Sequence, residues 1–213
     1  MSTGPSPADD TRQRLVAAAT AEFAQHGVHG ASLLEISRRA GQRNRGAVHY
    51  HFGSRAGMLV AVLRQHGTLI SAAEADLLAV ARARPDDVDA AVRAFVLPAV
   101  SLAEQGGEGR LYLMIMADLI LGDPMRLEPD VQETLLGLGG YEAYALLDRL
   151  VAGWIPEDDV RLERMTLATL FVLQAVADRA RDDRPARPWL PVERFRENLV
   201  AMVAGMLQAP LPR

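Results

Sequence analysis

The chain of 213 residues is predicted to be all-α, with about nine helices and no sheet. Three observations predict it. Apolar residues recur three and four apart through most long segments. No segment alternates apolar and polar residues over a useful strand length. Gly, Pro and capping residues punctuate the chain between the periodic runs.

Residues 1–8 are small, polar and Pro-containing, the composition of a disordered tail. Asp9, Asp10 and Thr11 are N-cap residues for a helix running to about His26, with Leu15, Ala19 and Phe23 on one face and Gly27 as its stop. Ser32-Leu33-Leu34-Glu35 reads as a capping box opening a short helix, with Leu33, Ile36 and Ala40 inward and Arg38 and Arg39 outward. Gly41 ends that helix, and Asn44 is expected to cap a third, running to about His51. Gly53 breaks the chain again, and Ser54 caps a long helix to about Ala83.

Pro85 suits the first turn of a helix to about Gln105. Residues 106–109 read as a Gly-rich loop, 110–121 as a nearly all-apolar buried helix, and 122–124 as its break. One long helix is expected over 129–152, kinked at Gly137, Gly139 and Gly140. A helix over 157–182, a Pro-rich connector at 184–191 and an amphipathic helix over 192–208 complete the chain.

Composition excludes several classes. There is no Cys, so disulfides, thiolate catalysis and Cys-bound zinc are out. No apolar run approaches the ~20 residues of a membrane span. The N-terminus has neither the basic start nor the apolar stretch of a secretory signal, so a cytoplasmic location is expected. All five His lie within residues 1–66. His49 and His51 diverge by roughly 200° on a helix, and His26 and His29 lack an acidic or Cys partner in sequence. No metal, cofactor or catalytic residue is expected, which makes an all-α enzyme the weaker reading.

The net charge of −4 is divided unevenly. Residues 11–66 carry eight Arg against Glu22 and Glu35, a net +6, whereas residues 67–213 carry a net −8. A basic segment joined to an acidic remainder points to nucleic acid at one end. The helices of that segment support this. Two short helices joined by a turn at Gly41 have the layout of a helix-turn-helix, whose second helix lies in the major groove. Such a helix must expose polar side chains over an apolar underside. Asn44, Arg45, His49, Tyr50 and His51 provide the first, and Val48 and Phe52 the second.

The same stretch resembles a known family. Phe23, Gly27, Ser32, Ile36, Ala40-Gly41, then Gly46 through Phe52, then Ser54-Arg55 and Leu59 are similar to the N-terminal signature of the TetR (tetracycline-repressor) family. The resemblance covers about a quarter of the chain. Where that family has an apolar residue and a Ser after Ala-Gly, this chain has Gln42-Arg43-Asn44, a turn one residue longer, and His49 stands where Tyr is usual. The resemblance implies a DNA-binding regulator and a set of expected contacts. Ser32, His49, Tyr50 and Arg55 are expected at the phosphate backbone, Asn44, Arg45, Gly46 and Ala47 at bases, and Arg43 at either. It implies domains at 9–54 for DNA binding and 55–208 for sensing and dimerisation.

A single helix-turn-helix covers one half-site, so a homodimer on a palindromic double-stranded operator is implied. By the same resemblance the last two long helices pair with their mates. One stripe is Leu162, Met165, Thr169, Val172, Leu173 and Val176, and the other is Phe195, Leu199, Met202, Val203 and Met206. A pocket for a small lipophilic effector is expected among the middle helices, with Tyr112, Met114, Met116, Asp118 and Gln174 as lining residues. The resemblance implies a repressor released by that effector. A DNA-binding protein with a filled C-terminal core and no sensor is the alternative.

Overall fold

A computed structural model describes residues 7–42, 44, 46–122, 126–179 and 189–211. Its ten helices are α1 (Pro7–Gly30), α2 (Leu33–Arg39), α3 (Ala47–Phe52), α4 (Arg55–Ala83), α5 (Val88–Gln105), α6 (Gly107–Leu121), α7 (Pro129–Leu136), α8 (Tyr141–Val151), α9 (Asp158–Arg179) and α10 (Val192–Gln208). There is no strand among the described residues.

The N-terminal helix buries Leu15, Val16, Ala19 and Phe23 completely. Each of the larger of these side chains contributes roughly 1.5–3 kcal/mol by leaving water, so the 15/19/23 stripe fixes which face of α1 turns inward. Its start at Pro7 lies inside the segment expected to be a tail. Its regular part stops at Gly27, whose φ of 74° and ψ of 161° are open to Gly at no steric cost.

A single hydrophobic cluster runs from Leu15, Phe23 and Val48 through Leu59 and Leu63 of α4 to Tyr112, Met165 and Val203. The core therefore continues across the expected boundary at residue 54. The second helix sits on the body through α1, which packs against both α4 and α6.

Beyond α4, three helix boundaries differ from expectation. The fifth helix starts at Val88, three residues after the Pro85 expected in its first turn, because the Asp87 carboxylate accepts from the Ala90 N–H at 3.1 Å and caps it there. The sixth starts at Gly107, so the Gly-rich loop shrinks to a sharp corner with Gly106 at φ 68°. The expected helix over 129–152 is two helices, with Gly140 at φ 95° between them. A Cβ on Gly139 would lie 2.3 Å from the Ser71 Oγ, so the connector's backbone rests directly on α4. Gly140 N–H donates to the buried Glu74 carboxylate at 2.8 Å, fastening the break to the same helix.

Candidate nucleic-acid interface

The second helix is anchored more firmly than a capping box alone would allow. Ser32 Oγ accepts from the Glu35 N–H at 3.3 Å, as expected. The reciprocal half differs. Glu35 turns outward to Arg38 and Arg39, whose hydrogen bonds pull its carboxyl pKa down to about 2. The Ser32 N–H instead donates to Glu22 of α1 at 3.1 Å. Glu22 is buried, and its other oxygen lies 3.5 Å from Arg39. One carboxylate of α1 thus reaches both ends of α2. Glu22 was missed in the sequence, although an acid seven residues after Leu15, on the inward stripe, was its signal.

The turn after α2 is set by Gly41 at φ 72°. Asn44 acts two residues ahead of its expected place. Its Oδ1 accepts from the Gly46 N–H at 2.8 Å, an Asx turn, and Gly46 is the residue that precedes α3. The third helix turns Ala47 and Val48 into the core, with Gly46, His49 and Tyr50 exposed. Tyr50 is 84% exposed, the extreme among the large apolar-bodied side chains of the described residues. Ala47 is 6% exposed, so its methyl packs inward. Arg43 and Arg45 lie outside the described residues.

Arg55, expected at the phosphate backbone, makes a contact within the chain. Its Nη1 donates to the Val28 carbonyl at 2.8 Å, tying the start of α4 to the end of α1. The N–H of Val28 donates to Asp118 of α6, also at 2.8 Å.

The five residues expected to line a pocket are distributed along two helices. Tyr112 is fully buried; Met114 and Met116 are half-buried; Asp118 and Gln174 are exposed. Tyr112 meets His66 of α4, with ring centroids 6.1 Å apart, whereas Asp118 faces Val28. Burial, and then the Glu74 charge, push the Tyr112 phenol well above its usual range. Its hydroxyl and the His66 Nδ1 are buried without a hydrogen-bond partner among the described residues. No group of His, Cys, Asp and Glu able to hold a metal occurs among the described residues.

The stripes on α9 and α10 divide in two. Met165, Val172, Leu173, Val176, Leu199 and Val203 are buried inside this one chain. Thr169, Phe195 and Met206 are half-buried, and Leu162 and Met202 are exposed. Leu167 joins them on the outside at 51% exposure. No helix among the described residues is long and apolar enough to cross a membrane.

Comparison with known proteins agrees with this geometry. Residues 15–62 match the family model of bacterial regulatory proteins, tetR family. The HTH-type transcriptional regulator SrpR of Pseudomonas putida is 48% identical over 61 residues, which is 28% of this chain and 28% of that protein. The match thus spans less than a third of that relative's length. Two solved structures share the fold over nearly the whole chain. One is HlyIIR, a hemolysin II transcriptional regulator, with a TM-score of 0.59 and 14% identity, covering 95% of this chain and 99% of that one. The other is the TetR-family regulator PfmR from Thermus thermophilus, with a TM-score of 0.53 and 20% identity, covering 100% of both.

Proposed function

Because its N-terminal module is that of the tetR family of bacterial regulatory proteins, we propose that this chain is a transcriptional regulator that binds a palindromic operator as a homodimer. The observation that carries the reading is the outer face of α3. His49 and Tyr50 project from a six-residue helix whose underside, Ala47 and Val48, is locked in the core. A rigid underside holds polar groups where they can grip phosphates and read base edges. The net +6 of residues 11–66 supplies the attraction.

Dimerisation uses the outward side of α9 and α10. Leu162, Leu167 and Met202 are apolar and exposed there, and Gly205 has open space where a Cβ would stand. A second copy on that side covers them and sets two recognition helices for adjacent grooves, about 34 Å apart. A small lipophilic effector enters between the middle helices, where the apolar α6 carries few polar groups. It weakens DNA binding by favouring the conformer with the wrong spacing, which for a coupling of about 1–3 kcal/mol lowers operator affinity roughly 5–150-fold. The chain acts as a repressor that the effector releases.

The test is selection of bound duplexes from a random library at two salt concentrations. One palindromic motif, with affinity falling steeply as salt rises, supports the reading. Recovery of nothing above background overturns it. Sedimentation of the free protein at several concentrations tests the dimer separately.

A further inference from the structure

We infer that Asp118 of α6 is the positioning residue through which the C-terminal body sets the orientation of the DNA-reading helices. The inference rests on the regulator reading above and adds a residue and a joint to it.

The joint is the peptide of Val28. At Gly27 the chain leaves the helical ladder of α1, with ψ at 161°. The N–H of Val28 is thereby freed from an i−4 partner, and it must find another. It donates to Asp118 Oδ2 at 2.8 Å, across 90 residues of sequence. The carbonyl of the same residue accepts from Arg55 Nη1 at 2.8 Å. Both are hydrogen bonds to ionised groups, the stronger kind. Val28 is therefore held on one side by α6 and on the other by the first residue of α4, which follows α3 across Gly53-Ser54.

The path from this joint to the reading surface is short. Ser32 caps α2 four residues after Val28, and its N–H is tied back to Glu22 of α1. The Ala31 N–H closes on the Gly27 carbonyl at 3.1 Å, so residues 27–31 form one stiff corner. A shift of α6 relative to α4 must stretch the Asp118 bond or carry that corner with it, and α2 goes with the corner. Space around the joint is already taken: a Cβ at Gly27 would stand 3.2 Å from Asp118 Oδ2. A methyl there would meet the carboxylate itself.

Asp118 is exposed, so its replacement leaves the core intact. The experiment compares the full-length wild type with Asp118→Ala and Asp118→Asn. The Asn variant keeps an acceptor oxygen for Val28. Each protein selects duplexes from a library in which half-site spacing varies, and each is followed by amide hydrogen exchange. For Asp118→Ala we expect the same half-site sequence but a spacing preference weakened about tenfold, within the usual range of coupling between sites. Faster exchange should begin at Val28 and extend into α2 and α3, with α9 and α10 unchanged. Asp118→Asn should recover most of both.

Equal loss of affinity at every spacing, with exchange altered at Val28 alone, overturns the inference, because it describes a local surface bond. If the wild type itself selects no duplex, the regulator reading fails. Exchange then decides the joint by itself: spread into α2 and α3 supports it, and confinement to Val28 sinks it.

Discussion

Thr20 and His66 share a buried hydrogen bond, 3.1 Å long, whose direction is fixed by proton counting. The Thr20 hydroxyl has one proton, and it donates that proton to the Val16 carbonyl at 2.9 Å. Its oxygen can then only accept, so the His66 Nε2 must carry a proton. In the neutral ring this leaves Nδ1 as a bare acceptor, 3.7 Å from the Glu108 carboxylate. The Thr20–His66 bond joins α1 to α4.

Burial lowers the proton affinity of His66 below its ordinary value near 6.5, and Glu108 only partly opposes it. An unfolded chain takes up that proton at a higher pH than the folded one. The stability from this site is thus present above about pH 6.5. It is lost as pH falls from there towards the lowered folded value. We expect the melting midpoint of the wild type to drop between about pH 7.5 and 5.5 by more than that of His66→Gln. Equal drops in the two proteins would show that His66 takes up its proton at the same pH whether folded or unfolded, and would overturn the effect of burial.

Gly139 lies against α4 with no room for a side chain. The Cβ of Gly139→Ala would stand 2.5 Å from both Ile70 Cγ2 and the Ser71 backbone N. We expect a loss of about 1–3 kcal/mol from overpacking, measured by urea unfolding. Gly30→Ala is the control, because nothing lies within 4 Å of its Cβ. Its effect should remain within about 0.5 kcal/mol.

Tyr50 and Ser32 separate binding from stability. Removing the exposed Tyr50 ring should leave the melting curve unchanged while weakening the selected operator by about 1.5–3 kcal/mol, the worth of a hydrogen bond to a charged group. Ser32→Ala should lower stability by about 1 kcal/mol through loss of the α2 cap. If Tyr50→Ala bound the operator as tightly as wild type, the outer face of α3 would not be the reader.

The buried and exposed sides of α9 and α10 predict opposite phenotypes. Met165 is fully buried, so Met165→Ala should cost about 2–5 kcal/mol and leave the association state alone. Leu167→Glu and Met202→Glu place charges on exposed positions. They should fold normally and sediment as monomers at concentrations where the wild type is dimeric.

Local signals served the sequence reading well where a single residue decides a boundary. Ser54 caps α4 by accepting from Gly57 N–H at 3.0 Å, and Gly41 and Gly53 take positive φ at the predicted stops. Periodicity showed that a face of α9 is buried, but not against what. Met165, Val172 and Val176 found partners in their own chain. The split of 129–152 into two helices depends on Glu74 and Ser71, distant in sequence on α4. In the sequence Asp118 is a polar residue on an apolar helix, and nothing local ties it to Val28. Only the fold brings α1 close enough to use it. Longer-range contacts of this kind leave no periodic trace.

The indole of Trp154, just past α8, donates to the Leu207 carbonyl near the end of α10 at 2.9 Å. One fluorophore therefore touches the terminal turn of α10, a helix proposed above to take part in self-association. The chain has two tryptophans, so Trp189→Phe leaves Trp154 as the sole indole emitter. Its emission wavelength then becomes an intrinsic optical gauge of α10, readable in solution without a label. Any small molecule or duplex that reseats that helix will announce itself as a spectral shift.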